Sequence, residues 1–124
     1  MGVKVRRSAG VVLLELEGEF TYSSGGLGRP LGLKGNRLED IRGALEDVLR
    51  EGHTKVILDL ARVNFLDSAG LGELVRCKKR VAEQGGDVKL LRPTGRVREM
   101  LDLVFLSRIF EIHQDEDAAI RSFA

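Results

Sequence analysis

The chain has 124 residues, of which 43% are hydrophobic and 31% are charged, so it is long enough and apolar enough to fold as one domain. Twenty basic against nineteen acidic residues give a formal net charge of +1, which excludes nucleic-acid binding driven by a strongly basic surface. One cysteine excludes an internal disulfide, and no apolar run is long enough to cross a membrane, so we expect a cytoplasmic protein without a membrane span.

The N-terminal third predicts a hairpin followed by a loop. Residues 3–18 contain short apolar runs interrupted by Ser-Ala-Gly at 8–10, which is typical of an antiparallel β-hairpin. Five glycines and a proline in residues 22–35 predict a long loop inserted in the domain. This loop lacks the Gly-Lys-Ser/Thr ending of a P-loop, although a nucleotide-binding role for it stays open as a third alternative.

The rest of the chain alternates helices with strands. A capping pattern at Asn36 and apolar residues at helical spacing predict a first helix that ends near Glu51. The apolar run 56–60 predicts a central strand, with Leu58 and Leu60 in the core, and a turn is expected at 61–62. Strands at 88–91 and 109–112 then alternate with helices that begin near Ser68, Thr94 and Asp115.

This order of elements predicts one α/β domain over residues 1–124. Strands that alternate with helices pair mostly in parallel, with right-handed crossovers. We therefore expect a mostly parallel mixed sheet, an N-terminal antiparallel hairpin and about four helices.

The sequence offers few residues for catalysis or metal binding. His53 and His113 lie apart from other ligands at metal-binding spacing, so no catalytic residue, metal or cofactor is predicted. Cys77 lies beside the apolar face of the second helix, where a small hydrophobic side chain fits. Asp59 and Asp67 lie at or beyond the end of an inner strand, but Asp59 can bond to turn amides and Asp67 can cap a helix.

One segment at the predicted start of the second helix stands out, namely Asp67-Ser68-Ala69-Gly70-Leu71-Gly72. Its small residues leave the first amides of the helix uncovered, and a helix N-terminus attracts anions. A phosphate on Ser68 would fit there. Composition alone favours the alternative that Ser68 is a plain cap and that the glycines permit close packing of helix on sheet.

Four segments of the chain resemble STAS domains of the bacterial anti-sigma factor antagonist type. They are residues 56–60, the run from Phe65 through Asp67-Ser68 to Gly72, Gly85-Gly86 and residues 101–110. The resemblance covers nearly the whole chain. In that family a kinase-type anti-sigma factor phosphorylates the serine after the aspartate, which corresponds to Ser68 here. The resemblance thus implies a non-enzymatic protein that binds an anti-sigma factor serine kinase through residues 67–72.

Two features depart from the family pattern. The family's Gly-x-Leu-Asp signature aligns with residues 18–21, so Thr21 replaces the acid. Family members usually pass almost directly into the first helix, where this chain has the loop at 22–35. Both changes lie near the expected partner-binding edge, which includes Thr21. The resemblance therefore also allows an alternative function as a constitutive subunit of a stressosome-like assembly or of a lipid-transport ABC transporter.

Overall fold

The structure is a computed structural model that describes residues 2–21 and 38–124. The predicted loop at 22–35 and the predicted cap Asn36 lie outside the described residues. Strand β1 (Val3–Ser8) pairs antiparallel with β2 (Val11–Phe20), which confirms the hairpin. The two residues between them, Ala9 and Gly10, both have positive φ angles, of 52° and 81°, as the tight turns favoured by twisted strands require.

The described chain then alternates helices and strands as predicted. Strands β2 to β5 are parallel to one another, and the sheet order is β1-β2-β3-β4-β5. The elements are α1 (Leu38–Arg50), β3 (Lys55–Leu66), α2 (Ser68–Ala82), β4 (Asp87–Leu91), α3 (Gly95–Leu103), a 3₁₀ helix (Leu106–Arg108), β5 (Ile112–His113) and α4 (Glu116–Arg121). The predicted mixed sheet with an antiparallel edge and four helices is confirmed for the described residues.

The turn expected at 61–62 is wrong, because β3 continues to Leu66. Its register against β2 shifts between Asp59 and Arg62, where β3 carries one more residue than its partner. The Asp59 carboxylate accepts a hydrogen bond from the Ala61 amide, with an N–O distance of 3.0 Å. The extra residue forms a β-bulge, and the hydrogen bond from the Ala61 amide to Asp59 replaces one that the sheet does not supply there. The strand therefore continues through residues 61–62.

The last strand is also displaced from its expected position. Residues 109–112 were expected to form it, but β5 begins only at Ile112. Ile109 instead follows the 3₁₀ helix and is 50% exposed. A short apolar run does not distinguish a strand from a buried helical turn, which explains the error.

The sheet is covered on both faces. The main core lies between the sheet and α1, α2 and α3, and it contains Leu58 and Leu60, both fully buried. A smaller cluster on the other face packs Leu13 and Ile57 against Ala119 of α4. The predicted interior position of the central strand is confirmed.

Candidate functional site

The candidate site is the start of α2, immediately after the end of β3. Asp67 has extended backbone angles and is the N-cap of α2. Its Oδ1 accepts the Gly70 amide at 2.8 Å, and its carbonyl accepts the Leu71 amide at 2.9 Å. The predicted capping role of Asp67 is confirmed, and the cap fixes where the first turn of the helix begins.

Gly70 allows this first turn to approach the sheet closely. A Cβ atom on Gly70 would lie 2.1 Å from the carbonyl oxygen of Phe20 and 3.0 Å from Cδ2 of Leu66. Both distances are shorter than van der Waals contact, so no larger residue fits at position 70 without a shift of the backbone. The predicted close packing of helix on sheet is therefore present at Gly70, whereas Gly72 faces open space.

The first turn has an exposed side and a buried side. Ser68 and Gly72 are exposed, while Ala69 is half-buried and Gly70 is buried. Leu71 is half-buried and packs against the core. The Ser68 hydroxyl is thus on the solvent side of a helix start whose other side is fixed to the sheet.

The end of β2 lies beside this turn. Phe20 and Leu66 are partners in the parallel register of β2 and β3, so the residues that follow them, Thr21 and Asp67, leave the sheet at the same edge. Thr21 is 7% exposed. The structure therefore brings Thr21 to the candidate site but buries most of its side chain.

One expectation about α2 is wrong, and the expected packing of Cys77 is confirmed. The helical spacing of the apolar residues predicts that Val75 faces the sheet together with Leu74. Val75 is instead 36% exposed, because the sheet-facing side of α2 is formed by Leu74, Cys77 and Val81. Cys77 is fully buried, and burial raises the pKa of its thiol to about 12. At neutral pH this thiol is protonated, which is consistent with a packing role.

Glu73 is a residue of this region that the sequence pattern did not indicate. Its side chain is 1% exposed and accepts hydrogen bonds from Arg42 of α1 and Arg76 of α2, each at 2.8 Å. A buried carboxylate held by two guanidinium groups fixes α1 against α2 one turn after Ser68. The one signal in the sequence is the spacing of Glu73 from Leu74 and Cys77, which puts it near the buried side of the helix.

The start of α3 lies beside the C-terminal part of β3. Thr94 caps α3, as predicted, by accepting the Val97 amide at 3.3 Å. The guanidinium of Arg96 lies 5.0 Å from the centre of the Phe65 ring near the end of β3. A cation over an aromatic face stabilises both side chains, so this contact ties the start of α3 to the end of β3.

The other chemical candidates have structural roles. Asp59 is on the opposite face of the sheet, where it accepts the Ala61 amide and a 3.1 Å hydrogen bond from Arg92. His113 pairs with Glu111 at 2.6 Å. In residues 2–21 and 38–124, no group of three or more His, Cys, Asp or Glu side chains is arranged to hold a metal ion. None of the helices in these ranges is long and apolar enough to cross a membrane.

Comparison with known proteins gives a consistent result. The family model of the STAS domain matches residues 33–119. A Thermotoga neapolitana protein named as a homologue of an anti-sigma factor antagonist is 33% identical over 75 residues, which cover 60% of this chain and 66% of that protein. The chain thus spans less than two thirds of the length of this relative.

Solved structures share the architecture. The crystal structure of a Thermotoga maritima protein named as an anti-sigma factor antagonist has a TM-score of 0.79 at 24% identity, and the match covers 98% of this chain and 93% of that one. The Bacillus cell fate determinant SpoIIAA in its phosphorylated form has a TM-score of 0.68 at 20% identity, covering 99% and 100% of the two chains. Because the family model matches most of the described fold, this chain belongs to the STAS domain family.

Proposed function

We propose that this chain is an anti-sigma factor antagonist that binds its partner through the start of α2 and is switched by phosphorylation of Ser68. The observation that carries the proposal is the exposed Ser68 on the first turn of a helix whose N-cap is Asp67. The names of its relatives support the class of function. The solved phosphorylated form of SpoIIAA supports control by phosphate, since this chain shares its fold.

The proposed contact surface consists of the exposed and half-buried residues of the first turn. Ser68 and Gly72 are the exposed positions, and Ala69 and Leu71 are half-buried. Asp67 and Gly70 hold the backbone of this turn in place. Thr21 belongs to the proposed surface because it leaves the sheet at the same edge, directly after Phe20. Small side chains let the backbone of a partner approach the helix start closely.

A phosphate on Ser68 would change this surface strongly. It adds a charge of about −1.5 to −2 next to the Asp67 carboxylate. The positive end of the helix dipole offsets only about 0.3–1 kcal/mol of the resulting cost. We therefore expect the unphosphorylated protein to bind and the phosphorylated protein to be released.

The partner in this proposal is an anti-sigma factor of the serine-kinase type. It supplies the nucleotide and Mg²⁺ for phosphoryl transfer, whereas Ser68 supplies only the accepting hydroxyl. The chain is then a substrate and a binding protein rather than an enzyme. When the unphosphorylated chain binds, the anti-sigma factor releases its sigma factor, so transcription is controlled indirectly.

The test is to map the phosphorylation site. The chain is incubated with a kinase-type anti-sigma factor and Mg-ATP, and its intact mass is measured. Wild type should gain one phosphate, Ser68→Ala none. Ser8→Ala is the matched control, because Ser8 is also exposed but lies at the end of β1, and it should gain one phosphate. Phosphate on Ser68→Ala, or none on wild type, contradicts the proposal.

A constitutive STAS subunit is the second candidate. Thr21 favours it, because it occupies the place of the family's acid at the candidate site and is largely buried. Such a subunit would bind its assembly regardless of the state of Ser68. This candidate would be supported if the chain binds stressosome or transporter components and if Ser68→Asp binds them with the same affinity as wild type.

A further inference from the structure

Exposed apolar side chains cluster where α3 ends and the 3₁₀ helix follows. We call four of them the apolar patch, namely Leu103 (78% exposed), Phe105 (61%), Ile109 (50%) and Val104 (49%). Among the described residues, the other exposed large apolar side chains are Val5 on β1 and Val75 on α2. An exposed apolar cluster on a soluble fold marks an interaction surface more often than a scattered residue does.

The backbone of Phe105 is in an unfavourable conformation. Its φ and ψ angles, 63° and 18°, lie in the left-handed region, which disfavours residues other than glycine, asparagine and aspartate. Core packing does not explain the aromatic residue, because its ring is mostly exposed, with the Arg108 guanidinium 5.0 Å from the ring centre. Strain that holds an apolar ring outward indicates a functional surface.

The charges around the patch indicate what covers it. We call the charged residues of the segment that carries the patch, residues 98–109, its rim, and they are two acids and two bases, namely Glu99, Asp102, Arg98 and Arg108. Asp102 pairs with Arg98 at 3.2 Å, but Glu99 and Arg108 form no ion pair with the residues described. A balanced rim does not suit an anionic membrane or a nucleic acid, which require excess positive charge. It does suit a surface that packs against itself.

We propose that the apolar patch is the interface of a homodimer of this chain. In a dimer with a two-fold axis, every contact between two different residues occurs twice. If the first residue of one copy contacts the second residue of the other copy, the same contact forms with the copies exchanged. Glu99 lies beside Leu103 on the surface of α3, and Arg108 lies over the Phe105 ring. In the dimer, Glu99 of one copy therefore pairs with Arg108 of the other, twice per dimer. Because the patch contains only four side chains, the interface is small and the dimer is weak.

This interface leaves the Ser68 surface free. The start of α3 is held near the end of β3 by the Thr94 hydroxyl, which donates to the Val63 carbonyl at 3.5 Å. Leu103 lies at the other end of α3, roughly 12 Å away at 1.5 Å per residue. Self-association and binding at Ser68 are therefore compatible, and failure of one does not decide the other.

Sedimentation of the full-length chain up to about 1 mM tests the proposal. Wild type should form dimers, whereas Phe105→Gly should remain monomeric at every concentration. Phe105→Gly also relieves the left-handed strain, so its thermal midpoint should not fall, and loss of the dimer cannot reflect misfolding. The control is Val5→Ser, because Val5 is 40% exposed on another element, and this variant should dimerise as wild type does.

Charge reversal tests the two-fold pairing itself. Glu99→Arg and Arg108→Glu should each weaken self-association by about tenfold, because each places like charges together. An equimolar mixture of the two variants should recover wild-type affinity, since each then supplies the charge that the other lacks. A monomeric wild type, a dimer unaffected by Phe105→Gly, or a mixture no tighter than its components overturns the proposal, and so does a monomer that binds anionic vesicles instead.

Discussion

Gly70 and Gly72 are two residues apart on α2, but their surroundings differ. A methyl group at position 70 would collide with the Phe20 carbonyl, whereas position 72 is open. Gly70→Ala should therefore lower the free energy of unfolding by about 1–3 kcal/mol. Gly72→Ala should raise it by about 0.5–1 kcal/mol, because alanine favours the helix. Urea unfolding of both variants checks this, and equal effects would contradict the packing described for Gly70.

At the scale of residues, the sequence predicted those side chains whose partners are close along the chain. The cap at Asp67 bonds to an amide three residues later, and Asp59 bonds to one two residues later. The contact of Gly70 with Phe20 and the contact of Glu73 with Arg42 join distant segments. Such contacts depend on how the elements pack, so local patterns could not reveal them.

At the scale of elements, β3 is the central strand of the sheet and pairs with a strand on each side. Leu58 is fully buried in the main core, so Leu58→Ala should cost about 2–5 kcal/mol of unfolding free energy. The control is Leu103→Ala on the exposed end of α3, which should change stability by less than about 0.5 kcal/mol. Denaturation midpoints measured for both at low protein concentration provide the test, and an unchanged midpoint for Leu58→Ala would refute the central position of β3.

Besides its apolar contacts, helix α4 is attached to the second face of the sheet by ion pairs of Glu116. Arg6 of β1 donates hydrogen bonds of 2.7 and 3.1 Å to Glu116 in the first turn of α4, and Arg92 lies 3.7 Å from the same carboxylate. The hydrogen bonds from Arg6 hold the pKa of Glu116 below its usual value of 4.5, although partial burial acts in the opposite direction. The attachment is therefore sensitive to acid.

The sign of this effect follows from proton linkage. Because the folded-state pKa of Glu116 is lowered, its contribution to stability is present above the unfolded pKa and is lost as pH falls through the folded pKa. Between about pH 6 and pH 3, wild type should lose more stability than Glu116→Gln. Asp117→Asn, in the same turn but without an ion pair to the described residues, should follow wild type. If the free energy of unfolding falls with pH in parallel for wild type and Glu116→Gln, this ion pair contributes nothing to the acid sensitivity.

At the scale of the whole molecule, the order of strands and helices was sufficient to predict the architecture. Alternating strands and helices allow few arrangements, and the N-terminal hairpin fixes the antiparallel edge. The sequence did not predict that α4 covers the second face while α1 to α3 cover the first. Nor did it predict the bulge in β3 or the exposed end of α3, since both depend on tertiary packing rather than on local propensity.

The central claim is that phosphate on Ser68 controls partner binding, and the affinity for the kinase-type anti-sigma factor tests it most directly. Titration calorimetry would compare the unphosphorylated chain, the chain phosphorylated on Ser68, Ser68→Ala and Ser68→Asp, with folding checked by circular dichroism. Ser68→Ala should bind as the unphosphorylated chain does. Ser68→Asp should bind more weakly by about 1–3 kcal/mol, and the phosphorylated chain more weakly still. Equal affinity of the phosphorylated and unphosphorylated chains would contradict the account and favour a constitutive subunit.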